Sequence, residues 1–182
     1  HYLVYAIMLS LKFAVGVAIV FYGIQMILGD LIPAFEGISK KIIPNSIPAV
    51  DSAVLFTYAP TAVVVGFVVS FIGGILGMLA LGAMGMVVII PGLVAHFFTG
   101  GSAGIYGNAT GGRRGAILGS FINGLGITFL PALLLPEIGE LGQHGTTFGD
   151  IDFAVIGILL GRVGAFFGGI GIYVVLVMVI LF

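Results

Sequence analysis

The sequence predicts an all-α integral membrane protein, and three observations carry the prediction. Of the 182 residues, 60% are hydrophobic and 7% charged, with a mean hydropathy of +1.30, whereas a soluble domain carries about 25% charge. The apolar residues gather into about five runs near the length of roughly 20 residues that a helix needs to span hydrocarbon. The 31 glycines, many at four-residue intervals, suit close helix packing and broken helices in a bilayer. A net charge of −1 offers no field for nucleic acid, and the absence of cysteine excludes disulfides, thiolate metal sites and cysteine nucleophiles. The chain opens at His1 in an apolar run, shows no cleavable signal pattern and ends in VVLVMVILF. Residues 1–182 are therefore expected to be a fragment, the C-terminal half of a larger membrane domain.

The first predicted span covers residues 2–29. Lys12 lies inside it, snorkelling or facing protein, and Asp30 can end it. Residues 30–43, DLIPAFEGISKKII, set Leu31, Ile32, Phe35, Ile38, Ile42 and Ile43 apart from Glu36, Lys40 and Lys41. That spacing reads as a short amphipathic helix lying in the interface, with a plain polar connector as the alternative.

Residues 44–60, PNSIPAVDSAVLFTYAP, are mostly apolar yet carry Pro44, Pro48 and Pro60. Proline lacks the amide proton and clashes with the preceding turn, at roughly 3 kcal/mol in a helix interior. The stretch is too short to cross and return as two full spans. It reads as a re-entrant hairpin with its tip near 49–52 and a half-helix starting at Asp51 or Ser52. Irregular backbone at membrane depth survives only where it is buried in protein or lines a cavity.

A second span covers 61–83, where Gly66, Ser70 and Gly74, with Gly73 and Gly77, form small-residue faces that let another helix approach. A third covers 86–106 and holds Pro91 and His96. It runs into residues 100–115, whose seven glycines argue against one regular helix throughout. A fourth covers 116–135, with Asn123, Thr128 and Pro131, so that residues 61–135 are chiefly transmembrane. Residues 136–152, PEIGELGQHGTTFGDID, read as an aqueous outer loop. The last span, 153–182, repeats Gly157, Gly161, Ala165 and Gly169 every fourth residue and carries Arg162. Lys40–Lys41 and Arg113–Arg114 are the two basic pairs, and basic loops stay cytoplasmic. Residues 136–152 then lie outside, provided that 44–60 enters and leaves on one side.

Asp51 is the first candidate for function. An acid inside an apolar segment is costly to bury, and a carboxylate is a strong acceptor for the hydroxyls of a polyhydroxy ligand, or holds a cation. The bland reading is a helix cap for the turn beginning at Ser52. His96 has three roles open: substrate contact, proton relay, or a structural hydrogen bond; one histidine without acids in its span is no metal site. Arg162 either neutralises an anionic ligand or pairs with an acid such as Asp150 or Asp152. The glycines of 100–115 lack GxxxxGK[ST] spacing and follow no strand, so they are not read as a phosphate loop. Arg113–Arg114 mark a surface that meets lipid headgroups or a soluble partner. Asn108-Ala109-Thr110 matches the glycosylation pattern but falls in or near the membrane. No catalytic constellation, metal cluster or cofactor site is evident.

Two blocks, Pro48-Ala49-Val50-Asp51 with Tyr58-Ala59-Pro60, and GNATGGRRG at 107–115, carry a resemblance. From about residue 35 to the end, the chain resembles the ascorbate-specific membrane (IIC) component of the bacterial phosphotransferase system. The resemblance implies a homodimeric, multi-pass carrier of the inner membrane, with a core domain that moves past a dimerisation domain in an elevator-like cycle. It implies two inverted repeats, of which this chain would be mainly the second. It also implies that L-ascorbate is imported and trapped as L-ascorbate 6-phosphate, the phosphoryl group arriving from phosphoenolpyruvate through soluble IIA and IIB partners. IIB, not this chain, would carry out the transfer. The family's substrate-binding aspartate of the second repeat falls on Asp51. An ion-coupled transporter or channel, a phosphotransferase carrier for a sugar alcohol such as galactitol, and a helical scaffold remain as alternatives.

Overall fold

The computed structural model describes residues 2–44, 46, 52–145, 147 and 149–181. Asp51 and most of the predicted hairpin tip lie outside the described residues. Every regular element among the described residues is helical, and four stretches are long and apolar enough to cross a membrane. The chain divides into two compact units, His1–Thr61 and Ala62–Phe182.

In the first unit, helix α1 (Tyr2–Lys41) runs through Asp30 without a stop and carries Pro33 inside it. The predicted interfacial segment is thus helical but continuous with the first span. Pro33 removes one amide bond, while Lys40 and Lys41 in the last turn complement the carbonyl end of the helix dipole. The amides of Ile42 and Ile43 return to the Ile38 carbonyl at 2.8 and 3.0 Å and close that end. Forty residues span roughly 60 Å at about 1.5 Å each, about twice the hydrocarbon thickness. Lys12 is exposed. Helix α2 (Ser52–Leu55) is a single turn. Thr57 donates to the Val54 carbonyl at 2.8 Å just after it. Phe56, 1% exposed, sets its ring edge against Phe21 of α1, with centroids 5.9 Å apart.

Helix α3 (Pro60–Ala83) opens on a proline, whose missing amide proton costs nothing in a first turn. A connection turns at Gly85 and runs without helix to Gly92. The third predicted span therefore begins as helix at α4 (Leu93–Ala95), not at Met86. It continues through a π-helical turn (His96–Gly100) into α5 (Gly101–Leu134).

Helix α5 is two arms. Gly112 has φ 59° and ψ −149°, a region essentially reserved for glycine. The chain reverses there: a Cβ on Gly107 would overlap the Gly115 carbonyl, and one on Gly115 would overlap that of Gly107. Farther from the turn, Ser120 donates to the Gly100 carbonyl at 3.2 Å. The segments 93–111 and 113–134 thus form an antiparallel helical hairpin with Arg113 and Arg114 exposed at its tip. The glycine run stays helical up to Gly111, beyond the predicted break, because its glycines are packing surface. A Cβ on Gly104 would overlap the Ala62 carbonyl of α3, and the helix–helix contact offsets the roughly 1 kcal/mol that each glycine costs in a helix. Gly112→Ala is expected to destabilise the fold by about 1–3 kcal/mol. Gly111→Ala, with open space around it and no positive φ, is expected to be neutral or mildly stabilising. Thermal unfolding of both variants in detergent checks the contrast.

Helix α3 lies against both arms along the small face read from the sequence. Gly66 abuts Gly100 and Gly104, while Gly73 abuts Phe121 and Gly124. Gly77 faces Thr128, where a Cβ would stand 3.1 Å from the threonine Cβ. Those pairings make α3 antiparallel to the first arm and parallel to the second.

Helix α6 (Glu140–Gln143) follows Gly139, and Gly149 lies at mid-height, where a Cβ on it would stand 3.0 Å from that of Ala95. Helix α7 (Ile151–Leu181) starts beside Gly126 and climbs parallel to the second arm. Gly157 meets Leu134 and Gly161 meets Glu137 on the way up. Gly168 then breaks α7 with φ 64° and ψ −162°. After the break Ile172 lies against Gly164, at 3.1 Å from a Cβ placed there. The predicted single last span is therefore two arms, 151–167 and 169–181.

Candidate functional site

Four polar side chains of the second unit collect at one height. Asn123 lies near the midpoint of the 113–134 arm, Ser70 near the midpoint of α3, and His96 and Thr99 in the π-helical turn opposite them. A π turn inserts an extra residue into the helix and recurs at functional positions. Here it brings His96 toward α3 while Thr99 faces the second arm.

The side chains form one connected network. Ser70 Oγ and His96 Nδ1 are 2.8 Å apart. Asn123 Nδ2 donates to Ser70 Oγ at 3.2 Å and to Thr99 Oγ1 at 2.9 Å. Thr99 passes its own proton to the Ala95 carbonyl at 2.9 Å. Ser70 is 0% and His96 1% exposed, so each must find its partners inside the protein. Phe71 closes the site with its ring edge-on to His96, centroids 5.5 Å apart and planes at 88°.

Glycines give the network its room. A Cβ on Gly100 would overlap that of Ser70, and one on Gly124 would overlap the Ser70 carbonyl. Ser70 Oγ accepts from Asn123, and its remaining lone pair and its proton let it serve His96 Nδ1 either as acceptor or as donor, according to the tautomer of the ring.

Of the residues singled out in the sequence, His96 lies in this layer. Arg162 does not. It forms an ion pair, with Nε 2.6 Å from Glu137 Oε1, and its partner is neither Asp150 nor Asp152. Asp152 sits ten residues earlier on α7, roughly 15 Å down the axis, whereas Gly161 lets Glu137 close against the helix. Asp150 and Asp152 flank the start of α7 beside Gly126, so they lie near the height of the network. Thr110 of the glycosylation-like triplet is helical and donates to the Tyr106 carbonyl at 2.9 Å. No group of three metal-ligating side chains exists among the described residues. Ser70, Thr99 and Asn123 were not marked as site residues by sequence. The available signal was that each is a polar residue near the middle of an apolar helical stretch.

Apolar helices of membrane-crossing length around a buried polar layer define a multi-pass integral membrane protein. The chain belongs to the family of sugar-specific permease components of the phosphotransferase system: the family model described as "EIIC-GAT: PTS system sugar-specific permease component" matches residues 1–152. Members are multi-pass proteins of the inner membrane. The ascorbate-specific PTS system EIIC component of Mycoplasma pneumoniae (strain ATCC 29342 / M129 / Subtype 1) is similar, at 31% identity over 116 residues. That similarity covers 60% of this chain and 18% of the relative, so the chain spans a small part of the relative's length.

Proposed function

We propose that this chain is part of a homodimeric carrier that imports L-ascorbate, coupled to its phosphorylation by soluble IIA and IIB components. The observation that carries the reading is the likeness to a relative named as ascorbate-specific, within a family of sugar permeases. The mid-height polar layer fits it, because carriers of this kind bind polar cargo near the bilayer midplane beside discontinuous helices. In this reading Asp51 is a substrate-binding residue whose carboxylate accepts sugar hydroxyls. The proline-bounded segment 44–60 is a re-entrant hairpin, and the basic pairs Lys40–Lys41 and Arg113–Arg114 face the cytoplasm, where IIB docks. IIB supplies the phosphoryl group, and this chain contributes no catalytic side chain and no cofactor.

The test is uptake by proteoliposomes containing the full-length permease. Labelled L-ascorbate is expected to accumulate as a phosphate ester only when phosphoenolpyruvate and the soluble components are supplied. Accumulation driven by an ion gradient without them would overturn the coupling, and displacement by galactitol in preference to unlabelled L-ascorbate would reassign the substrate.

A further inference from the structure

We infer that the tip of the 93–134 hairpin binds anionic phospholipid, with Arg113 and Arg114 taking the headgroup phosphate. Such binding holds whichever sugar is carried.

Charge singles the tip out. Arg113 and Arg114 are the only Asp, Glu, Lys or Arg residues between Asp51 and Glu137. Both are exposed, and among the described residues neither forms an ion pair. Two like charges side by side repel unless an anion lies with them.

The depth of the tip matches the headgroups. The segment 113–134 rises roughly 33 Å at about 1.5 Å per residue, close to the roughly 30 Å of hydrocarbon. An arm that crosses therefore sets its first residues at one edge of the bilayer. Side chains on a helix lean toward its N-terminus. For Arg113 and Arg114 that direction leads out past the tip, toward lipid phosphates and away from the acyl chains.

Below the charge lies an apolar layer. Ile117 and Leu118 follow Arg113 and Arg114 by four residues, one turn further in on the same faces, and both are exposed. Tyr106 on the other arm is exposed too, and the contact of Gly107 with Gly115 sets it near the height of that turn. Guanidinium outermost, tyrosine at the boundary and aliphatic side chains beneath follow the order of a leaflet: phosphate, interface, acyl chain. A soluble protein would meet the arginines but not the aliphatic turn beneath them. The arginine fork suits the free oxygens of a phosphodiester, and a headgroup without a cation of its own leaves those oxygens unneutralised. The ligand class is therefore a phospholipid of net negative charge.

The test uses the full-length permease in detergent, titrated with phosphatidylglycerol or with phosphatidylcholine of the same acyl chains, and counts bound lipid by native mass spectrometry. The wild type is expected to hold phosphatidylglycerol about tenfold or more tightly than phosphatidylcholine, and Arg113→Gln/Arg114→Gln to lose that preference. Thermal unfolding in phosphatidylcholine nanodiscs should be the same for both proteins. A preference that survives the double substitution overturns the inference. So does displacement of the bound lipid by inorganic phosphate, the sign of a free-phosphate site. Unchanged lipid retention with lost binding of phosphorylated IIB reassigns the tip to a protein partner and overturns it as well. A variant that unfolds early and loses both lipids alike does the same, because the arginines would then be holding the fold.

Discussion

Asp51→Ala in the full-length permease is expected to abolish sugar uptake while leaving the amount of protein in the membrane unchanged. A hydrogen bond to a charged acceptor contributes about 1.5–3 kcal/mol, and a carboxylate can accept from two sugar hydroxyls at once. Loss of both corresponds to at least about a hundredfold in affinity. Asp51→Asn keeps the size and one acceptor oxygen, so its uptake should fall between the two. If the residue serves only as a cap for the turn that begins at Ser52, its removal costs about 1 kcal/mol of stability and uptake persists. Normal transport by the alanine variant, measured with labelled L-ascorbate under saturating phosphoenolpyruvate, would take Asp51 out of the site.

The second large effect is structural. Gly124→Ala is expected to lower the thermal midpoint by several degrees and to reduce the folded yield in detergent. The added Cβ would overlap the Ser70 carbonyl, and backbone cannot rotate aside as a long side chain can. Helix α3 would have to move away, separating Ser70 from His96 and Asn123; overpacking of this kind costs about 1–3 kcal/mol before the network is counted. Gly119→Ala is the control, because its Cβ would meet only the Ala103 carbonyl, at an ordinary 3.5 Å. Equal unfolding curves for the two variants would show that α3 does not lie on the second arm as described.

How much was legible in the sequence differs from helix to helix. Composition and the four-residue spacing of Gly66, Ser70 and Gly74 were enough to locate α3 and the face it packs with, because both follow from local chain geometry. The stop expected at Asp30 did not occur, since a single acid and Pro33 are weak terminators inside a long apolar helix. The seven-glycine run read as irregular because propensity counts each glycine against a helix. Only the fold shows that most of them are contact surface and that Gly112 alone carries the reversal. The rise of α7 from mid-height was not legible. An acidic, glycine-rich stretch looks aqueous in any window, and nothing local records that it turns back against Ala95. Ser70, Thr99 and Asn123 meet across separations of 24 to 53 residues, beyond the reach of any spacing rule. Asp51 was drawn from the sequence and the resemblance, and its role awaits the substitution described above.

The start of α7 halfway up the bundle has an electrostatic consequence. Its first amides, the carboxylates of Asp150 and Asp152 and the Ser70–His96–Asn123–Thr99 chain share one stratum, with greasy helix above and below it. In the carrier proposed above, with that stratum at the bilayer midplane, a solute reaching it from either face would leave water for only about 15 Å of hydrocarbon, half the bilayer's thickness. Because burying a polar group in an apolar medium is costly unless it finds a polar partner, a polar stratum that divides the slab in two would lower the barrier on both sides.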